Sequence, residues 1–278
     1  MKNYLNREYD LNSNELVELI DELPLWSAPF GLKLLDNIRY CKNITALDIG
    51  FGAGFPLTEI ALRLGSSCKV YGIDPWEAAV KRAEKKIHAY GIENVEIIRG
   101  VAENIPLEDH SVDLVTSNNG INNVSDLDKV LCECSRVIKK GGQFLQTVNL
   151  DTSMIEFYDL LKAVLAEYRM EAAIDKMHQH IYQKRKPLPE FTDHLKEHDF
   201  SVKLIEHDHF EYRFNDGTTL LNHYFIQMAF LSEWKKIVPE EKRSEIFEQV
   251  ENRMNEAAEK EGFFKLSVPF VVIDCERS

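Results

Sequence analysis

The sequence lacks long apolar runs, and it lacks a segment of the kind that directs secretion. None of its hydrophobic stretches approaches the length of a membrane span. The first ten residues, MKNYLNREYD, contain no apolar segment such as a signal peptide requires. Internal repeats and low-complexity linkers are also missing. These absences predict one cytoplasmic globular protein that does not insert into a membrane.

Basic residues and cysteine are also scarce. The chain has 46 acidic and 33 basic residues, and its formal net charge is -13. The resulting field repels polyanions, so neither a nucleic acid nor an anionic membrane surface is an expected partner. Five scattered cysteines, an odd number, predict reduced thiols rather than a disulfide framework. In DLDKVLCECSRVIKK, helical spacing turns Cys134 to the core and Cys132 to the surface, so no metal site is expected there.

The pattern that is present is an alternation of apolar runs and amphipathic stretches from Ile44 to Leu150. Five segments predict strands: ITALDIG, CKVYGID, VEIIRG, VDLVTS and GGQFLQTVNL. Helical segments separate them, two of which have proline at the start, Pro56 and Pro75. This alternation predicts an α/β fold, a Rossmann-like, doubly wound, mostly parallel seven-stranded sheet with helices on both faces.

The chain outside this core is expected to belong to the same single domain, 1–278. We predict a core at residues 44–150, an N-terminal helical cap at 1–43, and a C-terminal half at 151–278. That half is expected to complete the sheet and to carry a helical lid insertion at 215–262. Within it, MHQHIYQKRKPLP predicts a basic loop and SVKLIEHDHFEYRF predicts one or two strands.

The segment LDIGFGAGF follows the first predicted strand and contains three glycines at alternate positions. Gly50, Gly52 and Gly54 can adopt positive φ and have no Cβ, so a ligand can approach their N–H groups closely. The dinucleotide fingerprint would require a further glycine at position 55, where the chain has Phe55. The segment therefore favours a nucleotide-like ligand other than a dinucleotide.

Two acidic residues refine the expected ligand. Asp48 lies two residues before the first glycine, and a carboxylate at this position suits a cationic ligand and fits a pyrophosphate poorly. S-adenosylmethionine carries an ammonium and a sulfonium. Asp74 ends the second predicted strand, where a carboxylate can accept hydrogen bonds from two ribose hydroxyls. Asp74 also suits an N-cap for the helix predicted to begin at Pro75.

Five ordered segments carry a family resemblance: LDIGFGAGF, GIDPW, GVAENIP, VDLVTSNNGINNV and RVIKKGGQF. At this order and spacing, residues 44–150 resemble the class I S-adenosylmethionine-dependent methyltransferases that act on small molecules. The resemblance implies an enzyme with S-adenosyl-L-methionine as its cofactor. One position departs from it, because Val101 stands where the family commonly has an aspartate that accepts from the adenine amino group. Glu103 or a backbone carbonyl could supply that contact instead.

The resemblance also implies the cofactor-binding residues. Asp48, Gly50 and Gly52 would surround the methionine part, and Asp74 would bind the ribose. Gly54, in the same turn, is also expected to bind the cofactor. Pro75 or Trp76 would pack on the adenine face, although Trp76 suits an ordinary core position equally well. Ala102 and Glu103 would lie at the adenine edge, and Ser117 and Asn118 would close the site below the sulfonium.

The methyl acceptor is expected to be a small molecule, while its identity and the catalytic residues stay open. After the fourth strand the chain has SNNG, without the Asn/Asp-Pro-Pro-aromatic motif of methyltransferases that act on nucleic-acid amino groups. A thiolate, amine or carbanion acceptor would need no base, whereas a hydroxyl would need one. The candidate acceptor residues, each of which also suits an aromatic core, are Trp26, Phe30, Tyr158, His180, His223, Tyr224 and Trp234.

Two further patterns bear on ligands. The run QKRKP places Lys184, Arg185 and Lys186 together in an acidic protein and could attract an anionic acceptor. Histidines at 178/180 and 207/209 form two H-x-H pairs, but their polar surroundings favour no metal. The competing hypotheses are a nicotinamide-dependent oxidoreductase and a non-catalytic S-adenosylmethionine-binding protein. The assembly is expected to be a monomer or a homodimer.

Overall fold

The computed structural model describes residues 3–6, 9–20 and 25–278. The helical cap predicted over residues 1–43 therefore lies partly outside the described residues. Its described part contains a short 3₁₀ turn at Asn3–Asn6 and two helices, α1 (Asn14–Ile20) and α2 (Ser27–Asp36). The boundary of this cap as a separate element stays a prediction.

The described residues form one seven-stranded sheet in the order β3-β2-β1-β4-β5-β7-β6. In chain order the strands are β1 (Thr45–Ile49), β2 (Lys69–Asp74), β3 (Val95–Arg99), β4 (Val112–Asn118), β5 (Ile138–Asn149), β6 (Phe200–Phe214) and β7 (Phe264–Arg277). β1 to β5 pair in parallel, and β7 runs antiparallel to β5. The mostly parallel, Rossmann-like sheet predicted from the sequence is thus confirmed. Because the order reverses between β1 and β4, the turns after these strands flank the crevice in which such sheets bind ligands.

Helices connect and follow the strands. They are α3 (Leu57–Leu64), α4 (Glu77–Ala89), α5 (Leu127–Val137), α6 (Ile155–Glu167), α7 (Glu171–Lys184), α8 (Leu188–Glu197), α9 (Gly217–Asn222), α10 (Tyr224–Ile226), α11 (Ser232–Ile237) and α12 (Arg243–Glu261), with a π-helical turn at Gln227–Leu231. Local chemistry sets several of their ends. The Asp126 carboxylate accepts from the Lys129 N–H at 3.1 Å and starts α5, and Gly262, at φ 83°, ends α12.

The chain divides into two compact units. One comprises residues 10–149, 187–208 and 270–278, and the other comprises residues 1–9, 150–186 and 209–269. In the second unit, the rings of Phe157 and Trp234 stack at 3.9 Å between centroids, and Phe230 stacks on the same indole. In the first unit, Phe30 meets Phe270 edge-on at 4.6 Å. The prediction that the whole chain is a single domain stays a prediction.

The basic loop predicted from MHQHIYQKRKPLP is wrong for most of its length. α7 continues through this segment to Lys184, and the chain leaves the helix only at Arg185. The buried residues of α7 are Ala173, Ile174 and Met177, so its apolar stripe lies mainly before the polar segment MHQHIYQKRKPLP. Packing of the first two turns thus stabilises the helix, which continues through the polar residues of its last turns.

Two other sequence expectations are met directly. Cys134 is buried and Cys132 is exposed, as the helical spacing predicted. SVKLIEHDHFEYRF forms one continuous strand, β6. Within residues 3–6, 9–20 and 25–278, no helix combines the length and the apolarity needed to cross a membrane.

Candidate functional site

The turn after β1 places three glycines in the left-handed region of backbone conformation. Gly50, Gly52 and Gly54 have φ of 74°, 54° and 109°, values that side chains disfavour. A Cβ on Gly50 would lie 2.8 Å from the Cα of Gly120, so this glycine allows the turns after β1 and β4 to touch. A Cβ on Gly52 would meet no described atom within 4 Å. Gly50 therefore serves packing, whereas Gly52 presents backbone to the crevice.

Asp48 is a buried carboxylate with one unused oxygen. Its side chain is 1% exposed, and Oδ1 accepts a hydrogen bond from the Thr116 hydroxyl at 2.7 Å. Oδ2 is buried and has no hydrogen-bond partner among the described residues. Burial raises the pKa of Asp48 to about 7, the bond from Thr116 opposes this, and the nearby charge of Asp74 adds to it. A cation that donates to Oδ2 would offset both the cost of burying the carboxylate and its repulsion by Asp74.

Asp74, at the end of β2, ties the glycine turn to the start of α4. Oδ2 accepts from the Gly52 N–H at 2.8 Å, and Oδ1 accepts from the Trp76 N–H at 2.7 Å. Burial raises the pKa of Asp74, and these two bonds counter the rise. Because each carboxylate oxygen can accept more than one hydrogen bond, both retain capacity for ligand hydroxyls. The helix begins at Glu77 rather than at the predicted Pro75, and Asp74 caps the turn before it.

Replacing Asp74 by alanine is expected to weaken binding of S-adenosylmethionine by about 1–3 kcal/mol, the range for loss of hydrogen bonds to a buried charged group. The measurement is a calorimetric titration of the purified variant. Part of the loss will come from the freed Gly52 N–H, so Asp74→Asn, which keeps an acceptor oxygen, should lose less. Unchanged affinity in both variants would remove Asp74 from the site.

The segment after β3 lies beside Asp74, since the Gly100 N–H donates to the Asp74 carbonyl at 3.3 Å. Ala102 in this segment is buried, and Val101 is 45% exposed. The Glu103 Oε1 atom accepts from the Ser125 N–H, the Ser125 hydroxyl and the Asp126 N–H. Burial by itself would raise the pKa of Glu103, but these bonds lower it. Glu103 thus anchors the approach to α5, which leaves Oε2 for any contact with adenine.

The two candidates for the adenine face differ in exposure. Pro75 is exposed, and Trp76 is partly buried. The indole of Trp76 packs against Val17, Ala78 and Ala79, and its Nε1–H donates to the Leu11 carbonyl. Trp76 therefore has the contacts of a core residue, and its role toward adenine stays a prediction.

At the end of β4 the two predicted residues already have protein partners. The Ser117 hydroxyl donates to the Ile49 carbonyl at 3.2 Å and accepts from the Ile121 N–H at 3.0 Å. The Asn118 amide donates to the Ser27 carbonyl at 3.2 Å and accepts from the Thr147 hydroxyl at 2.9 Å. Ser117 therefore shapes the turn after β4, and Asn118 links that strand end to the start of α2.

The candidate acceptor residues fall into separate groups. In the unit that contains the glycine turn, Trp26 meets Phe30 edge-on at 5.6 Å. In the other unit, Tyr158 lies 6.3 Å from both His180 and Trp234, ring centroid to ring centroid. That unit also pairs His223 with Phe214 and Tyr224 with Tyr9. Across the described part of the chain, no group of three or more His, Cys, Asp or Glu side chains is arranged to hold a metal ion.

Comparison with known proteins assigns the segment that contains this site. Residues 47–146 match the family model described as a methyltransferase domain. Residues 47–146 form a methyltransferase domain. The chain is 41% identical over 112 residues to a demethylmenaquinone methyltransferase of Geobacillus stearothermophilus. The aligned residues cover 40% of this chain and 47% of that protein. The chain thus spans about half the length of the curated relatives it matches.

Solved structures agree on the fold of this methyltransferase domain. The YcgJ protein of Bacillus subtilis superposes with a TM-score of 0.60 at 18% identity over 89% of this chain and 97% of that one. Geranyl diphosphate C-methyltransferase of Streptomyces coelicolor A3(2), in complex with Mg²⁺, geranyl diphosphate and S-adenosyl-L-homocysteine, gives 0.56 at 16% identity over 99% and 87% of the two chains. Together with the family match, these findings confirm the resemblance drawn from the five sequence segments.

Sequence reasoning missed three residues that shape the site. Thr116 holds Asp48, and Gly120 permits the close approach of Gly50. Gly31 in α2 makes room for Phe55, whose ring would lie 2.2 Å from a Cβ at that position. Each depends on a partner more than 20 residues away in the chain, so no local pattern marks them.

Proposed function

We propose that this protein is an enzyme that transfers a methyl group from S-adenosyl-L-methionine to a small-molecule acceptor. One observation carries the proposal: the unpartnered, buried Oδ2 of Asp48 lies in the strand that leads into an open glycine turn. A buried carboxylate of this kind fits a cation. The methyltransferase domain at residues 47–146 and the fold of the structural neighbours support it.

The residues present fit this cofactor. Asp48 accepts from the ammonium of the methionine part, and the Gly52 backbone lies where no Cβ blocks the approach of that part. Asp74 accepts from the ribose hydroxyls, with the segment at Ala102 and Glu103 beside it at the adenine edge. Ser117 and Asn118 border the site at the end of β4. Gly50, Gly54 and either Pro75 or Trp76 complete the proposed set.

The work of the protein is mainly alignment. S-adenosylmethionine, when bound, supplies a methyl group on a positively charged sulfonium. Transfer of this methyl group leaves a neutral thioether. Holding an acceptor in line with that methyl can contribute roughly 7–11 kcal/mol of the barrier. Asp48 holds the methionine part of the cofactor and Asp74 holds its ribose. The buried hydrogen bonds of Ser117 to Ile49 and of Thr147 to Asn118 fix the border of the site. The candidate acceptor residues are Trp26 and Phe30 in the unit that holds the glycine turn, and Tyr158, His180, His223 and Tyr224 in the other unit.

The competing hypotheses are weaker on specific grounds. A nicotinamide-dependent oxidoreductase would use a third glycine where Phe55 packs against Gly31, and it would bring a pyrophosphate toward Asp48. A non-catalytic protein would share the cofactor site, and only turnover separates it from an enzyme. The net charge of -13 argues against a nucleic-acid acceptor.

The test is calorimetric titration of the full-length protein with S-adenosylmethionine, S-adenosylhomocysteine and NADH in parallel. The two adenosyl-sulfur compounds are expected to bind, and NADH is not. Binding of NADH alone would refute the methyltransferase proposal. With cofactor binding established, small thiol, amine, hydroxyl and carbon acceptors are screened for methyl transfer, and the absence of turnover with all of them would favour the non-catalytic hypothesis.

A further inference from the structure

Arg185, the residue directly after α7, is a buried arginine that pairs with no carboxylate among the described residues. The residue is 7% exposed, and its Nη1 atom is fully buried without a hydrogen-bond partner. Among the described residues no carboxylate pairs with it, whereas Arg253 pairs with Glu167 and Arg213 with Glu211. Arginine does not release its proton in proteins, and a lone buried charge is strongly destabilising. An anion bound at Nη1 would offset the cost of burying this charge.

The charges that act on His180, in the same unit as Arg185, are mainly positive. Burial lowers the pKa of His180, and the charge of Arg185 lowers it further. Lys184 and Lys236 act in the same direction, and Glu233 opposes them. Neutral His180 thus lies within the field of Arg185, where the excess of positive charge favours an incoming anion.

A second buried donor lies next to His180. The Tyr158 hydroxyl accepts from the Trp234 Nε1–H at 3.1 Å, and the ring of Tyr158 lies 6.3 Å from that of His180. Because indole N–H can only donate, the Tyr158 oxygen is the acceptor and its own O–H is left to donate. Tyr158 is 2% exposed, and no described residue accepts from that O–H. A buried hydroxyl and a buried guanidinium on neighbouring segments thus both have unused donors.

We propose that Arg185, together with Tyr158 and His180, forms a binding site for an anionic group, a phosphate or a carboxylate, of a small-molecule ligand. The planar guanidinium matches two oxygens of either group, and Tyr158 supplies a further donor. Binding of this group does not depend on the proposed function. Among the three basic residues of the QKRKP run, Arg185 carries the recognition because it is buried, while Lys184 is exposed.

The test titrates the full-length protein with inorganic phosphate, pyrophosphate and benzoate in chloride buffer of constant ionic strength. Wild type is expected to bind at least one of them saturably, and the three arms distinguish phosphate from carboxylate recognition. Arg185→Met should weaken that binding by about tenfold or more, as expected for loss of a charged, two-pronged contact. Lys176→Gln, an exposed position on α7 with the same change of charge, should alter it less than about twofold.

Stability gives a second readout. In chloride buffer Arg185→Met is expected to unfold at the same temperature as wild type or higher, because an unpaired buried charge is removed. If the variant does not fold, Arg185→Lys replaces it and should still lose most of the anion affinity, since lysine lacks the planar fork. Absence of saturable binding by wild type, or equal losses in Arg185→Met and Lys176→Gln, would overturn the proposal.

Titration with S-adenosylmethionine separates this inference from the proposed function. Cofactor binding without anion binding would leave the methyltransferase proposal standing and refute the anion site. Anion binding by wild type that is lost in Arg185→Met, without any cofactor binding, would support the anion site and refute the methyltransferase proposal.

Discussion

The Asp48→Asn variant is expected to be more stable than wild type at about pH 8 and equally stable at about pH 4. Burial raises the pKa of Asp48 from an ordinary value of 3.8 to about 7. The unfolded chain therefore releases this proton at lower pH than the folded protein does. Stability supported by the protonated form is fully present below the unfolded pKa and is lost as the pH rises through about 7. Asparagine mimics the neutral acid and escapes this loss, which amounts to about 4 kcal/mol at alkaline pH.

The measurement is thermal unfolding of both proteins between about pH 4 and pH 8 without cofactor. The gap between their curves should open with rising pH. Thr116→Val is a second probe, because it removes the hydrogen bond that lowers the pKa of Asp48 and so should move the transition to higher pH. Parallel curves for wild type and Asp48→Asn across the whole range would show that Asp48 does not titrate there.

The affinity for the cofactor should increase with pH, whereas the stability of the wild-type protein relative to Asp48→Asn decreases. A cation is expected to bind the ionised form of Asp48, so wild-type affinity for S-adenosylmethionine should rise with pH up to about 7 and protons should be released on binding below it. Asp48→Asn should bind weakly at every pH. Calorimetry in two buffers of different ionisation enthalpy detects the released proton, and a pH-independent affinity in wild type would separate Asp48 from the ligand.

Gly50→Ala is expected to lower the free energy of unfolding by about 2–5 kcal/mol. Two costs add: left-handed backbone costs a side-chain-bearing residue roughly 1–2 kcal/mol, and overpacking costs typically about 1–3 kcal/mol. The second cost applies because the new Cβ would lie 2.8 Å from the backbone of Gly120, which cannot rotate away as a side chain would. Urea unfolding of wild type and variant measures the difference.

Two other glycines are the matched controls. Gly52 and Gly91, at φ 54° and 63°, have no described atom within 4 Å of a built Cβ, so alanine at either costs only the backbone strain, about 1–2 kcal/mol. The pair differs in ligand binding, because Gly52 adjoins Asp74 in the proposed site and Gly91 follows α4. Only Gly52→Ala should weaken S-adenosylmethionine binding. Equal affinity of Gly52→Ala and Gly91→Ala would place the ligand away from this turn.

Much of the site's framework was predictable from sequence because its signals are local. The glycine spacing, the acids at the strand ends and the strand-helix alternation each occupy one short stretch, and the strand order agrees with the resulting fold. The helix through MHQHIYQKRKPLP was missed because its stability comes from the buried stripe of the preceding turns. Ser117 and Glu103 could be predicted as site residues from the sequence, but their hydrogen-bond partners could not.

The methyltransferase domain, its glycine turn and its two acidic positions can be identified from the sequence, since they depend on residue type and spacing along the chain. Which polar atoms are left without hydrogen-bond partners depends on how the chain folds. Asp48 keeps a free oxygen and Thr116 takes the other, although 68 residues separate the two. Arg185 is buried while its neighbour Lys184 is exposed. Burial and pairing arise from contacts between segments distant in the chain, and these set the energy of each charge.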